Sequence, residues 1–244
     1  MNKPYKASSK INLLRYPKAA LKYWQGDRAD FHRALIIQAA AELLKEDFEP
    51  EVWNKALNEI DQTDIIPMKP INQHVGNDIR TLFGKWLYAS IRAVKPEKII
   101  ETGISHGISS WVILNALSKN GTGKLFSIDL PNLDSNENYN FKQSIQTGEV
   151  VPVILRSNWK MIVGDAKKEL PKLLNELGQV DYFFHDSDHS YKHMLFEFET
   201  VYPYLKKGGI IASDDINKNT SFQDFSRMKE IQAITFTKGG CAIK

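Results

Sequence analysis

Cysteine is almost missing from this sequence: Cys241 is the single example among 244 residues. No disulfide can therefore form within the chain, which fits a reducing compartment, and we expect a cytoplasmic location. Long apolar runs are missing as well, since even the apolar segment 34–44 is interrupted by Gln38 and Glu42. Residues 1–25 lack the continuous apolar core of a signal peptide. We therefore expect neither a secretory leader nor a membrane span.

A strong net charge is also absent, because 32 Lys and Arg face 29 Asp and Glu, for a formal charge of +3. Basic residues are concentrated in the segment 1–30. A basic arm can attract an anionic partner, and a solvated terminal segment explains the same residues. Because no nucleic-acid recognition motif accompanies the arm, we do not expect a nucleic-acid partner. Because no long apolar segment is present, we do not expect a membrane partner either.

The first part of the chain carries apolar side chains at helical spacing, with irregular joins. The spacing predicts a helix that is capped by Asp30 and runs to about Lys45. Further helices are predicted at about 50–60 and 77–94, with a proline-containing connector between them. We assign residues 1–75 to an N-terminal helical arm or lid.

From Pro96 onward, short apolar strands alternate with helices, which predicts a parallel sheet with right-handed crossovers. The predicted strands are 98–102, 124–129, 159–164, 180–185 and 209–213, and the predicted helices between them are 108–118, 166–177 and 190–205. Two short strands, 231–237 and 241–243, flank Lys238-Gly239-Gly240 and predict an antiparallel hairpin. The expected fold is an α/β domain over 76–244 with a seven-stranded sheet.

The first predicted strand runs into the segment 101–109, ETGISHGIS. A strand followed by a glycine-containing turn and a helix can cradle a ligand, because glycine allows close approach and the helix N-terminus offers free N–H groups. Ligands of open α/β sheets bind at the carboxyl ends of the strands. The spacing is E-x-G-x-x-x-G, and the pyrophosphate fingerprint G-x-G-x-x-G is missing.

Acidic residues end the next two predicted strands. Asp129 ends the second strand, and its carboxylate can accept two hydrogen bonds from a ribose diol. Asp165 follows the third strand and suits the amino group of an adenine. One glycine-rich turn alone is a weak signal. Three successive strands ending in Glu101, Asp129 and Asp165 favour a cofactor site more strongly.

The segment ETGISHGIS resembles motif I of class I S-adenosylmethionine (SAM)-dependent methyltransferases, most closely that of catechol- and caffeoyl-CoA-type O-methyltransferases. The resemblance covers 75–244 and implies a Rossmann-like, doubly wound sheet with an N-terminal helical extension. It implies that Glu101 and Gly103 line the methionine part of SAM, that Asp129 holds the ribose, and that Asp165 with Ala166 flanks the adenine. The predicted cofactor-binding residues are Glu101, Gly103, Ser105, Gly107, Ser109, Asp129, Asp165, Ala166 and Asp186.

A second acidic group follows the fourth and fifth predicted strands. The fourth strand ends in HDSDHSY, residues 185–191, and the fifth ends in Ser213-Asp214-Asp215. Because neighbouring strand ends bring Asp186 close to the Asp214-Asp215 pair, their charges repel unless a cation or protons intervene. Hard oxygen ligands favour Mg²⁺ or a similar divalent ion.

This pattern resembles the D-G-D-H-S-Y…G-G-x-x-x-x-D-D signature of a bacterial methyltransferase family, which is related to metal-dependent macrolide-sugar O-methyltransferases. The resemblance implies that Asp186, Asp214 and Asp215 bind magnesium and that His189 is the base. The sequence departs from the signature at Ser187, where glycine is usual. On this hypothesis the metal lowers the pKa of a substrate hydroxyl, His189 accepts its proton, and the oxygen attacks the sulfonium methyl in line.

Other interpretations of these residues stay open. His185, His189 and His193 recur every four residues, which suggests zinc, although a strand position for His185 would remove a shared helix face. Asp188 and Ser190 can simply cap the following helix.

The expected function is O-methylation of a small hydroxylated metabolite, such as a sugar or natural product. An NAD-dependent oxidoreductase and a non-catalytic methyltransferase-like binding protein are the alternatives. The polar segment 133–159 is either a substrate loop or an ordinary surface loop. The arm can cover the site or form a homodimer, and its aromatic residues either stack on an acceptor or pack in a core. These aromatic residues are Tyr5, Tyr16, Tyr23 and Trp24.

Overall fold

The computed structural model describes residues 15–25, 27–63, 82–130, 147–236 and 238–244. Several sequence predictions fall outside the described residues: Tyr5, the proline-containing connector, the boundary between residues 75 and 76, the start of the helix predicted at 77–94, and the segment 133–146. The side chain of Tyr23 lies outside them as well. In the part of the chain that is described, no helix is long and apolar enough to cross a membrane.

Four α-helices precede the sheet in the described residues. They are α1 (Pro17–Trp24), α2 (Arg28–Leu44), α3 (Pro50–Gln62) and α4 (Leu82–Val94). The prediction that Asp30 caps α2 was wrong, because Asp27 is the cap and its side chain accepts the N–H of Asp30 at 3.0 Å. Asp30 lies in the first turn instead, where an acidic side chain still favours the positive end of the helix.

The rest of the described chain alternates strands and helices. In chain order these are β1 (Lys98–Thr102), α5 (Ile108–Asn120), β2 (Lys124–Asp129), β3 (Trp159–Val163), α6 (Ala166–Leu177), β4 (Val180–His185), α7 (Tyr191–Val201), β5 (Leu205–Ser213), α8 (Ser221–Met228), β6 (Gln232–Phe236) and β7 (Gly239–Ile243). The strand order is β3-β2-β1-β4-β5-β7-β6, with β1 to β5 parallel and β7 antiparallel to both of its neighbours. The predicted α/β fold with a seven-stranded sheet and antiparallel final strands is confirmed.

Several elements differ from their predicted bounds, and the helix predicted at 190–205 ends as α7 at Val201. Strand β5 begins at Leu205, which pairs with Val180, four residues earlier than predicted. Gly239 and Gly240 were predicted as a turn but belong to β7. A Cβ on Gly239 would lie 2.1 Å from the ring of Phe83, so glycine serves close packing in the strand rather than a bend. Helix α8 was not predicted at all.

Apolar side chains cover both faces of the sheet. On one face α3, α4 and the terminal hairpin share an aromatic stack, in which Trp86 lies 5.0 Å from Trp53 and 4.8 Å from Phe236 between ring centroids. The other face packs against α6, α7 and α8. Tyr16 is buried in the core, as the packing interpretation expects, whereas Trp24 is 73% exposed. The N-terminal helices therefore share a core with the sheet.

Candidate active site

The carboxyl ends of four adjacent strands are level with one another. Thr102 of β1 lies opposite Ile128 of β2 and His185 of β4, and His185 lies opposite Ser213 of β5. The segments that follow these strands therefore leave the sheet at one edge, which is where open α/β sheets bind their ligands. Both predicted constellations lie at this edge.

The glycine turn after β1 is packed between two other pieces of backbone. Gly103 has φ +87°, and a Cβ there would lie 2.0 Å from the carbonyl oxygen of Asp186. Gly107 has φ +92° and precedes α5, and a Cβ there would lie 2.8 Å from the Cα of Gly148. Ser105 also has a positive φ, of 48°, and its carbonyl accepts the N–H of Gly148. Both positions therefore require glycine because of their positive φ angles and their close contacts with protein backbone, whether or not a ligand binds there.

Glu101 lies beneath this turn and is fully buried. Its carboxylate accepts hydrogen bonds from the hydroxyls of Ser109, Ser110 and Ser127, each at 2.6 Å. Burial raises the pKa of Glu101, and the three hydroxyls partly offset that rise. Glu101 therefore fastens α5, through Ser109 and Ser110, and β2, through Ser127, to β1. The contact of Glu101 with the methionine part of SAM and the cofactor contact of Ser109 stay predictions.

Asp129 is brought next to the same turn. Its side chain is half-buried, and burial raises its pKa against the opposing effect of backbone N–H groups from Ile104, Ser105 and Leu130. Two of these N–H groups belong to the glycine turn, so the carboxylate at the end of β2 is held against that turn. This arrangement can hold a ribose diol beside the turn.

Asp165 and Ala166 lie at the end of β3, on the far side of Asp129. The carbonyl of Asp129 accepts the N–H of Gly164 at 2.9 Å, which places the two strand ends side by side. The carboxylate of Asp165 accepts the N–H of Lys167 at 2.9 Å and caps α6. Ala166 is buried at the start of that helix. Their predicted role at the adenine stays a prediction.

The turn after β4 carries the predicted base. Nε2 of His189 lies 3.6 Å from Oδ1 of Asp186, and the side-chain amide of Asn219 donates to the His189 carbonyl at 2.8 Å. Burial lowers the pKa of His189, and the charge of nearby His185 lowers it further. A neutral imidazole is the form that can accept a proton. Asp188 accepts a hydrogen bond from the N–H of Ser190 at 2.8 Å in the turn before α7, and Ser190 occupies the cap position without a side-chain capping hydrogen bond, so neither side chain caps the helix as that interpretation expects.

Glu197, on α7, was missed by sequence reasoning. Its buried carboxylate accepts from Thr102 Oγ1 at 2.6 Å, His185 Nδ1 at 2.6 Å, Ser187 Oγ at 2.9 Å and His193 Nε2 at 2.8 Å. Burial alone would raise the pKa of Glu197, but the hydrogen bonds from His185 and His193 outweigh it and bring the pKa to about 2. The helical spacing H-x-x-x-E from 193 to 197 is the signal that indicates such a pair.

The recurrence of histidines has the same explanation. His185 lies in β4 and His193 in α7, and both donate to Glu197. His189 lies in the turn between them, where its ring stacks edge-on at 5.3 Å from that of His185. Two of the three histidines therefore donate hydrogen bonds to one carboxylate. The three lie in a strand, a turn and a helix, so they do not share a helix face on which zinc could bind.

The predicted magnesium ligands are neighbours but do not form a ligand set. The N–H of Asp214 donates to the carbonyl of His185, so the ends of β4 and β5 do meet. Asp215 has a left-handed backbone, with φ +48°, and its carboxylate pairs with Lys218 at 3.5 Å and Lys238 at 3.8 Å. Among the described residues, no three His, Cys, Asp or Glu side chains are placed to hold a metal ion. The lysines provide the counter-charge that a cation was expected to provide.

Residues 100–216 match the family model described as a methyltransferase domain, from β1 to just beyond the Asp214-Asp215 pair. A caffeoyl-CoA O-methyltransferase of Stellaria longipes is 31% identical over 137 residues, or 55% of this chain and 52% of that protein. The chain thus spans about half the length of this relative.

Two solved structures share the fold. PaMTH1, a methyltransferase of Podospora anserina in its SAH-bound form, has a TM-score of 0.52 at 14% identity and covers 80% of this chain and 88% of its own. The O-methyltransferase TomG of Streptomyces achromogenes, in complex with SAM, has a TM-score of 0.50 at 18% identity and covers 80% of this chain and 90% of its own. The family match and the 31% identical relative confirm the predicted resemblance to methyltransferases for the matched part of the chain.

Proposed function

We propose that this chain, whose residues 100–216 match the methyltransferase-domain model, transfers a methyl group from SAM to a hydroxyl oxygen of a small metabolite. One observation carries the proposal: Gly103, in the turn that would hold the donor, touches the backbone of Asp186, which leads to His189. A methyl donor and a proton acceptor bound at these two turns would be adjacent. Adjacency matters because alignment of the reacting atoms supplies much of the rate gain in such transfers.

The residues have separate roles in this mechanism. The carboxylate of Asp129 accepts hydrogen bonds from the ribose hydroxyls of SAM, and the backbone of the glycine turn lies against the rest of the cofactor. SAM, when bound, would supply an electrophilic methyl group and leave as S-adenosylhomocysteine once its sulfur–methyl bond is broken. Neutral His189 accepts the proton of the acceptor hydroxyl as the oxygen gains its bond to carbon, and Asp186 stabilises the resulting imidazolium at its 3.6 Å distance.

Magnesium dependence is a separate part of the proposal. By resemblance the ligands are Asp186, Asp214 and Asp215, but these side chains do not fit a metal as they lie, because Asp215 is paired with Lys218 and Lys238. Metal binding requires Asp215 to leave its lysine partners. The mechanism above therefore contains no metal step.

The acceptor class is proposed as a sugar or natural-product hydroxyl. The relative that is named for caffeoyl-CoA adds a phenolic acyl thioester to the candidates. Both classes present a weakly acidic hydroxyl that needs a base, which agrees with a neutral imidazole at residue 189. Caffeoyl-CoA, catechol and nucleotide-linked sugars form a suitable first panel.

A homodimer through the N-terminal arm is also proposed. Leu21 and Trp24 on α1 are 58% and 73% exposed, which leaves apolar surface for a second copy. Light scattering on the full chain and on a Trp24→Ala variant tests this point. A monomeric full chain at micromolar concentration contradicts it.

The proposed activity is tested first by calorimetry and then by transfer of labelled methyl groups to the panel. We expect SAM and S-adenosylhomocysteine (SAH) to bind and NAD not to bind. Tight NAD binding with no SAM binding replaces the proposal with the oxidoreductase alternative. SAM binding without transfer to any member of a wide panel favours the non-catalytic alternative.

A further inference from the structure

The buried carboxylate of Glu197 joins four donors from three parts of the fold. Thr102 ends β1, His185 ends β4, Ser187 lies in the following turn, and His193 lies on α7. Resting on the function proposed above, we propose that Glu197 is the positioning residue that fixes the turn from Asp186 to His189. It touches neither substrate nor cofactor in this role and acts through the groups that it binds.

The hydrogen-bonding capacity of Glu197 is fully used. Oε2 accepts from Thr102 and His185, and Oε1 accepts from Ser187 and His193. An ionised carboxylate has about four acceptor positions, so none is left over. A buried polar network in which every member is satisfied is rigid and specifies one arrangement of its parts.

Core stability alone does not explain such a carboxylate. Removing a charge from water is costly, and replacing a buried ionic group by apolar side chains of similar volume is often neutral or stabilising. The surroundings offer apolar packing, since Phe198 stacks against His185 at 5.5 Å and Met194 is fully buried. A charged hub in this place is therefore better explained by the geometry that it imposes.

That geometry reaches His189 by two routes. Ser187 lies between Asp186 and His189 in the chain, and its hydroxyl fastens the middle of the turn to Glu197 at 2.9 Å. The ring of His185, oriented by Glu197, packs edge-on against the ring of His189 at 5.3 Å between centroids and 80° between planes. Ser187 stands where the resembling signature has glycine, so this chain has gained one anchor through its hydroxyl.

The test compares Glu197→Gln and Ser187→Ala with a matched control, Tyr182→Phe. The control also removes a buried hydrogen bond on β4, the 2.9 Å contact between Tyr182 and Ser90, but it lies away from the site. We expect Glu197→Gln to lower kcat for methyl transfer from SAM to catechol by about 100-fold, which is the size of effect that a misplacement of about 1 Å produces. KM for SAM and SAH affinity should change far less than kcat, because the glycine turn is also held by backbone hydrogen bonds of Gly103 to Ile128 and of Ser105 to Gly148, which do not involve Glu197.

A second measurement does not depend on turnover. In the full chain with isotope-labelled histidine, the ring signals of His189 should move in Glu197→Gln and in Ser187→Ala and stay in place in Tyr182→Phe. If Glu197→Gln fails to fold, Ser187→Ala carries the test with a smaller change in the same direction. Unchanged His189 signals and unchanged kcat in the folded variants overturn the positioning role. If the wild-type chain neither binds SAH nor methylates any acceptor, the proposed function fails, and the ring signals still decide the role of Glu197.

Discussion

Gly103 and Asp186 are in backbone contact, so close that a Cβ on residue 103 would lie 2.0 Å from the carbonyl oxygen of residue 186. One residue belongs to the turn assigned to the methyl donor, and the other begins the turn that carries the candidate base. The two halves of the candidate site therefore share a boundary with no side chain between them.

Gly103→Ala should separate these two turns. The added methyl group meets backbone, which cannot swing aside, and φ +87° is unfavourable for alanine, so we expect a loss of roughly 3 kcal/mol or more in unfolding free energy. SAH affinity should fall as well. Gly121→Ala is the control, since its φ is +71° but nothing lies within 4 Å, and it should cost only about 1 kcal/mol. Equal losses for the two variants, measured by urea unfolding, would show that the contact is unimportant.

His189→Ala should lower turnover by about 10²- to 10⁴-fold, the usual contribution of a general base. SAH affinity measured by calorimetry should stay near that of the wild type, because His189 lies in the acceptor turn. A variant that turns over at the wild-type rate would remove His189 as the base.

Asp129→Asn should weaken SAH binding by roughly 10- to 100-fold, since a hydrogen bond to a charged group contributes about 1.5–3 kcal/mol. Glu176→Gln is the control, because this carboxylate is exposed and pairs only with Lys160 among the described residues. Calorimetric titration of both variants with SAH measures these affinities. If Asp129→Asn binds SAH as tightly as the wild type does, Asp129 does not hold the ribose.

The magnesium part of the proposal requires a cation to displace the lysines from Asp215, and on that hypothesis removal of divalent metal by EDTA should abolish methyl transfer and Mg²⁺ should restore it. Because Asp215 is held by Lys218 and Lys238, the double variant Lys218→Ala/Lys238→Ala should need less Mg²⁺ for half-maximal activity than the wild type. Full activity of the wild-type chain in EDTA refutes the metal requirement and leaves the lysines as the permanent counter-charge.

Glu197 should make the chain sensitive to acid in a defined range. Its pKa in the folded state is about 2, below the usual 4.5, so its stabilising contribution is complete above about 4.5 and is lost as pH falls toward 2. The contribution is on the order of 3 kcal/mol. Urea unfolding at several pH values should show a steeper decline between pH 5 and pH 2 in the wild type than in Glu197→Gln. Parallel declines would mean that Glu197 does not titrate in this way.

The strands of the sheet were predicted well because each strand is a short apolar run, and burial is the single physical cause of that pattern. The apolar run from Ile99 to Ile100 is buried on both faces, and the final strands are short and lie beside glycines. The cap of α2 was misplaced because Asp27 and Asp30 satisfy the same helix-start pattern, and only the backbone geometry distinguishes them.

The candidate site was less predictable because its partners come from distant parts of the chain. Thr102 and Glu197 are 95 positions apart, and no local pattern connects them. The acidic pair after β5 was interpreted as metal ligands because charge repulsion requires a counter-charge. The sequence alone did not reveal that Lys238, which precedes the final strand, faces Asp215 at 3.8 Å.

The position of β7 between β5 and β6 has a consequence for biosynthesis. In the described sheet β6 is an edge strand and pairs with β7, which is made after it. The aromatic stack of Trp53, Trp86 and Phe236 therefore cannot be completed until β6 has been made. About 140 residues separate the end of α4 from Phe236, so this side of the core closes late in synthesis.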